Sequence, residues 1–277
     1  IPQSEIDYLM NERAHKLDYH LHYNTDIANT GPIDYVVQTT GPEVLVHMAS
    51  FPRQKVVNAN PQWGADVMMR GLINLLESAK AHGVRRFVYI SSSMVYGDFD
   101  DDVTEDAQCN PQGQYGIMKL AGEWLVKDYG RTKGLTYTII RPSAVYGPLD
   151  VEDRVVSKLL LNAMRDKNLN VNGVDERLDF TFVDDLINCI EYTIDNETTF
   201  DGTLNLAYGT RISLNEILLF LGRQFPNLKY KYSPSRKGDI KDSTSNPDNF
   251  KKIFEKIPHT DFEKAIKITI NWLKSSI

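Results

Sequence analysis

The 277 residues suffice for a substantial core, arranged as one large domain or two smaller ones. With 42% apolar and 25% charged residues the composition is that of a globular protein, and a net charge of −6 argues against a general nucleic-acid or polyanion surface. No apolar run reaches the length of a membrane span and the start lacks the charged and apolar regions of a signal peptide, so a cytoplasmic protein without membrane partners is expected. Cys109 and Cys189 form neither a metal-ligand spacing nor a disulfide framework, and read as free thiols in a reducing compartment.

Residues 1 to 31 are polar, rich in His and Tyr, and weakly periodic. His15, His20 and His22 lack supporting carboxylate or Cys spacing, so they read as surface histidines and no metal site is expected. Val44-Leu45-Val46-His47-Met48-Ala49 reads as a buried strand. A helix is predicted from about Gln62 to His82, with Leu72, Leu75, Leu76 and Ala79 on one stripe and Gly83 as its stop. Phe87-Val88-Tyr89-Ile90 is the next strand and delivers Ser91-Ser92-Ser93-Met94-Val95-Tyr96-Gly97. The acidic run Asp98 to Asp102 reads as a solvated loop, and it precedes a helix that carries Tyr115 and ends near Gly130.

Thr136-Tyr137-Thr138-Ile139-Ile140 is a further strand, followed by the turn Arg141-Pro142-Ser143-Ala144-Val145-Tyr146-Gly147-Pro148. Beyond Pro148 the pattern changes to a helix through Leu159 to Met164, a short strand at Leu169 to Val171, and the segment Phe180-Thr181-Phe182-Val183-Asp184-Asp185. Asp184 and Asp185 are expected to cap a helix there. Tyr96 and Tyr146 are expected to pack or to bond the backbone. The remainder to Trp272 mixes short strands, loops and helices, as a smaller lobe capping the sheet would. Strands alternating with helices predict a parallel sheet covered on both faces, with ligands at the carboxyl ends of its strands.

The most informative feature is Tyr115-Gly116-Ile117-Met118-Lys119 after the serine-rich strand end. A Tyr and a Lys four apart share one helix face. Beside a serine hydroxyl they form a proton-transfer device for oxidising an alcohol or reducing a ketone. The Lys charge is expected to favour tyrosinate and so to lower the Tyr pKa.

These residues resemble the extended short-chain dehydrogenase/reductase family, specifically its nucleotide-sugar epimerases and dehydratases. The resemblance runs from about Asp26 to Trp272 and rests on Val46 to Ala49, Ser91 to Gly97, Tyr115 to Glu123, Arg141 to Pro148, Phe180 to Asp185 and Arg236-Lys237-Gly238-Asp239. It implies a Rossmann-type doubly wound parallel sheet in residues 1–148 and a smaller, mainly substrate-binding lobe in 149–277, with 180–207 returning to the first domain. By the same resemblance Tyr115 is the acid/base, Lys119 holds the nicotinamide ribose, and Ser92 is the hydroxyl beside the sugar. NAD is implied ahead of NADP. Asp26 and Ile27 would meet the adenine, with Met48, Ala49, Ser50, Ser91, Pro142 and Val145 also along the cofactor. Ser93, Met94, Ala144 and Arg177 would join Ser92 around the sugar nucleotide, and Arg236 and Asp239 would contact its diphosphate and ribose.

The sequence departs from the family pattern in places. The G-x-x-G-x-x-G turn that approaches a pyrophosphate is absent; Gly113 and Gly116 have its first spacing, but position 119 is Lys. The first residues would suit the stretch after the family's second strand, and roughly 35 to 40 residues, the size of a strand-helix-strand unit, are expected to be missing. Ser93 and Met94 stand where the family's 4,6-dehydratases and glucuronate decarboxylases usually carry Asp-Glu or Ser-Glu, and Ala144 replaces a common Asn. The expected activity is therefore C4 epimerisation of a UDP- or other NDP-hexose. A 4,6-dehydratase, an NADPH-dependent 4-ketoreductase and a non-catalytic nucleotide-sugar-binding protein are the alternatives. A homodimer is expected, with Leu72, Leu76, Leu120, Leu125 and Val126 serving either its interface or the monomer's core.

Overall fold

A computed structural model describes residues 21, 23–51, 54–97, 102–150, 154–173, 177–209, 211–234, 242–243 and 245–276. Helix α1 (Thr30–Thr40) leads into strand β1 (Val44–His47), and α2 (Gln54–Ala59), α3 (Pro61–Ala65) and α4 (Gly71–Ala81) follow, the last two joined by a π-helical turn at Asp66–Arg70. Next come β2 (Arg86–Ile90), a 3₁₀ turn (Ser93–Val95), α5 (Gly113–Lys133), β3 (Thr136–Pro142), β4 (Ala144–Tyr146) and α6 (Val155–Met164). The chain continues through β5 (Leu169–Asn172), β6 (Arg177–Leu178), β7 (Phe180–Phe182), α7 (Val183–Asp195), β8 (Gly202–Leu206) and β9 (Ile212–Ser213). It ends in α8 (Leu214–Gln224), β10 (Tyr230–Ser233), β11 (Asp242–Ser243), α9 (Asp248–Ile253) and α10 (Phe262–Ser276).

Strands β1, β2, β3 and β8 form one parallel sheet in the order β1-β2-β3-β8. The period of two in a strand sends alternate residues to opposite faces, and both faces are covered here. Phe87, Tyr89 and Ile139 pack under α1, α4 and α5 with Ile33, Val37, Leu72, Leu76 and Val126. Val88, Ile140 and Leu204 pack on the other face with Leu186, Cys189 and Ile190 of α7 and Phe250 and Phe254. The smaller lobe has its own core, in which Leu159 to Leu161, Phe180, Phe182, Ile217, Leu221, Ile266 and Ile270 meet. Its strands pair as β4 with β7, β5 with β10, and β6 between β9 and β11.

The α/β class and the parallel sheet are as the sequence implies. Helices α1 and α2 were not anticipated, although Ile33 and Val37 have helical spacing and Gly41 takes the left-handed conformation that ends α1. One expectation needs correction. Asp184 and Asp185 do not cap α7: its N-cap position is Phe182, they lie inside its first turn, and buried Asp185 instead accepts bonds from the Thr260 backbone and hydroxyl at 2.8 and 2.7 Å. Tyr96 is buried in the core as expected, and its hydroxyl also donates to Asn205 Oδ1 at 2.7 Å and accepts from Arg141 Nη1 at 2.6 Å. Of the two settings open for Leu72, Leu76 and Val126, they lie in the monomer's core.

The packing of α5 on the sheet centres on a fully buried ion pair. Arg141, at the end of β3, donates through Nε and Nη2 to the two oxygens of Glu123 at 2.9 and 2.6 Å. Ser91, just past β2, donates to the same carboxylate at 2.5 Å. Removing one partner strands a buried charge, which costs more than losing both together. Glu123→Gln is therefore expected to lower unfolding stability by about 3 kcal/mol in urea titrations. The double variant Glu123→Leu/Arg141→Met should lose less than the sum of its single substitutions.

Candidate active site

The site lies where the carboxyl ends of β2 and β3 meet the first turns of α5. Ser92 is extended and starts the 3₁₀ turn, its Oγ accepting the Met94 N–H at 3.2 Å. The same hydroxyl faces the phenol of Tyr115 and favours its ionised form. One turn further along α5, Lys119 donates from Nζ to the Ile90 carbonyl at 2.7 Å, on the last residue of β2. Its ammonium stands 5.9 Å from the Tyr115 ring and 5.2 Å from that of Tyr89. Gly116, between the two, is what allows the helix so close: a Cβ there would lie 2.7 Å from the Met94 carbonyl oxygen. A hydroxyl pair backed by a buried ammonium can pass a proton to and from a bound alcohol or ketone.

Burial dominates the electrostatics. Lys119 is 5% exposed, and desolvation brings its pKa down to about 8 although Glu123 opposes the shift. His47, stacked 5.7 Å from Tyr89, is pushed down to about 3 by its own burial and by Lys119, so it is neutral and adds no charge. For Tyr115 the expected lowering is overturned. Desolvation raises its pKa, and the groups that pull it back are the Ser92 hydroxyl and the Arg154 guanidinium. Arg154 was not singled out from the sequence. It precedes α6 and is held by the Val145 carbonyl at 3.0 Å and Asp150 at 3.5 Å. Only the lobe packing brings it near Tyr115, and no spacing in the chain signals that.

Other expected site residues fall into distinct settings. Asp26 is exposed and turns its carboxylate to the Ala28 N–H at 2.9 Å; Ile27 packs on the core beside α4. Met48, 56% exposed, and Ala49 stand open beyond β1, with Ser50 half-buried. Ser91 is buried, its hydroxyl committed to Glu123. Pro142 ends β3, Ala144 donates its N–H to the Asp179 carbonyl, and Val145 packs against the α7-side core. Ser93 is buried and Met94 half-buried in the 3₁₀ turn. Arg177 is exposed on β6, in electrostatic reach of Glu216. Arg236, Asp239 and the three N-terminal histidines lie outside the described residues. Ser143 has a buried hydroxyl oxygen with no hydrogen-bond partner at the end of β3, while the residue itself is half-buried.

The chain matches the model of the NAD dependent epimerase/dehydratase family over residues 6–207 and belongs to that family. A UDP-glucuronate 4-epimerase of Thermodesulfobacterium geofontis (strain OPF15) is 27% identical over 267 residues, 92% of this chain and 80% of the relative. A dTDP-glucose 4,6-dehydratase of Neisseria meningitidis serogroup B is 30% identical over 197 residues, 66% of this chain and 55% of the relative. The crystal structure of UDP-glucuronic acid 4-epimerase from Bacillus cereus, in complex with UDP-glucuronic acid and NAD, has the same fold, with a TM-score of 0.88 and 23% identity over 97% of this chain and 86% of that one. The fold is thus that of the extended short-chain dehydrogenase/reductase epimerases.

The low pKa of Lys119 carries a consequence for stability. Between pH 8 and the unfolded value of 10.5 the unfolded chain holds more protons at this group than the folded one, so its contribution to stability rises with pH. Comparing wild type with Lys119→Met in urea titrations from pH 7.5 to 10, the wild type should gain about 2–3 kcal/mol on the variant across that window.

Proposed function

We propose that the protein is an NAD-dependent nucleotide-sugar epimerase that inverts C4 of a UDP- or other NDP-hexose through a transient 4-keto sugar. The observation that carries this reading is the assembly of Ser92, Tyr115 and Lys119 at the carboxyl end of the sheet in a chain of this family. When bound, the nicotinamide would accept hydride from the sugar carbon and give it back. Tyr115 takes the proton of the C4 hydroxyl and gives it back to the same oxygen when hydride would return to the opposite face of C4, so the reaction closes with no net proton change. Ser92 orients that hydroxyl, and Lys119 holds positive charge beside the reacting oxygens.

The described residues fit the nicotinamide end of such a cofactor. The fixed ammonium of Lys119 can meet a ribose hydroxyl. The orphaned Ser143 hydroxyl, at the end of β3, is a further group that a bound cofactor could satisfy. Asp26 and Ile27 are proposed at the adenine and Met48 to Ser50 along the cofactor, with Arg177 at the sugar nucleotide and Arg236 and Asp239 at its diphosphate and ribose.

A 4,6-dehydratase is the second reading, favoured by the 30% identity to the meningococcal enzyme. Elimination of water needs a carboxylate beside the sugar, and Ser93 and Met94 supply none, which supports the epimerase. The purified protein is expected to release NAD on denaturation and to interconvert C4 epimers of a UDP-sugar without net change in cofactor. Tyr115→Phe should lower kcat by about 10³-fold while still binding the nucleotide sugar. Accumulation of a 4-keto-6-deoxy sugar would establish the dehydratase instead, stoichiometric NADPH consumption a reductase, and failure to bind either dinucleotide a non-catalytic protein.

A homodimer is proposed as the working form. Helices α3, α4 and α5 pack together and leave Trp63, Ile73, Ile117 and Trp124 exposed, with Trp124 at 70%. Sedimentation should give a dimer for wild type and a folded monomer for Trp124→Glu.

A further inference from the structure

Helix α5 begins without a cap of its own. Its N-cap residue, Gln112, makes no side-chain bond to the first turn, and that turn, Gly113 to Gly116, contains no acidic residue. The N–H groups of a helix's first turn have no intrahelical partner, and an unpaired first turn frays. Here the third of them, on Tyr115 itself, donates to Oδ1 of Asn58 at 3.2 Å. Asn58 is the penultimate residue of α2, 57 positions earlier in the chain. It performs from a neighbouring helix the service that an N-cap side chain ordinarily performs within one.

Two further features hold this contact in place. Val57, next to Asn58, is fully buried, and a Cβ on Gly64 of α3 would come 2.7 Å from its side chain, so α2 is wedged between α3 and α5. Gly113 has φ of +76°, and a Cβ there would meet Asn58 Nδ2 at 2.8 Å, so the entry to α5 is shaped around the amide. Asn58 itself is exposed and belongs to no core cluster.

We propose that Asn58 is a positioning residue for Tyr115, capping the catalytic helix in trans and so setting the height of the phenol over Ser92. The inference rests on the reading of Tyr115 as the acid/base. It acts through the backbone of Tyr115 and leaves the substrate contacts alone, so its loss should fall on kcat and not on KM.

The experiment compares wild type, Asn58→Ala and Asn58→Asp in kcat, KM, melting temperature and the pH dependence of kcat. It adds ¹³Cζ-tyrosine NMR titrations, in which the Tyr115 signal is the one missing from Tyr115→Phe. Asn58→Ala should lower kcat about fivefold or more, with KM changed less than about twofold. Asn58→Asp restores the acceptor and should recover a large part of that kcat. Its added negative charge disfavours tyrosinate, so the Tyr115 titration should move to higher pH by about half a unit. Unchanged kcat and an unmoved Tyr115 signal in Asn58→Ala would overturn the proposal. So would parallel losses of kcat and melting temperature in both variants with the titration left in place, because that is a merely structural role. Should the wild type turn over no nucleotide sugar, the epimerase reading falls, while the NMR titration still decides whether Asn58 sets the environment of Tyr115.

Discussion

The buried pair of Arg141 and Glu123 is the constraint through which the sheet and the Tyr115 helix are held in register. Two charges taken out of water are tolerated only when their donors and acceptors find partners. That condition is met by pieces from five parts of the chain. Arg141 uses Nε and Nη2 on Glu123, and Nη1 on both the Tyr96 hydroxyl and the Glu105 carbonyl. Tyr96 passes the connection to Asn205 of β8, and Glu105 accepts from the Asn205 backbone at 2.9 Å. Ser91 completes the carboxylate. Sliding α5 along the sheet would break several charged hydrogen bonds at once. Lys119 and Tyr115 lie one and two turns before Glu123 on the same helix, and Ser92 is the neighbour of Ser91, so the polar cluster beneath fixes the separation of the reactive hydroxyls above it.

The chemistry of the site follows from how much of it is dry. Desolvation raises the tyrosine and lowers the lysine, so each group moves toward its neutral form. Near neutral pH the phenol carries its proton and the ammonium, with its pKa near 8, is mostly charged. Tyr115 in this state is a proton donor waiting for an oxyanion; to act first as a base it needs help. The help available on the described residues is the Ser92 hydroxyl and the distant Arg154 charge, and a cationic nicotinamide would add to it when bound. A Tyr/Lys pair spaced four apart on a helix does not by itself make an acidic tyrosine. Its surroundings decide the sign, and here burial wins.

Much of the sheet was legible in the sequence because fully buried parallel strands read as short runs such as Phe87 to Ile90, bounded by turns. The juxtaposition of Ser92, Tyr115 and Lys119 was legible too, since it depends on local spacing. What escaped lay in pairings between distant segments. Tyr96 looked like a packing residue because its partners, Arg141 and Asn205, are 45 and 109 positions away. Nothing local says that Glu123 faces Arg141. Helix α1 carries only Ile33 and Val37 as buried anchors, too thin a stripe to stand out against its Thr and Gly content. Asp185 resembled a cap because acids favour helix starts, but the Thr260 bonds that occupy it come from 75 residues downstream.

Arg154 shows how the smaller lobe enters the chemistry. Its guanidinium is held to the Val145 carbonyl of β4 and to Asp150, so its position follows the packing of that lobe. Strand β4 follows β3 after the single residue Ser143, and it pairs with β7, whose Phe180 and Phe182 anchor the lobe's core. The same short connection therefore ties the end of the main sheet, the orphaned Ser143 hydroxyl and the cation that eases ionisation of Tyr115. A charge acting across a seam between lobes is more sensitive to their separation than one on the tyrosine's own helix, because the Coulomb energy falls with distance and water enters as the seam opens.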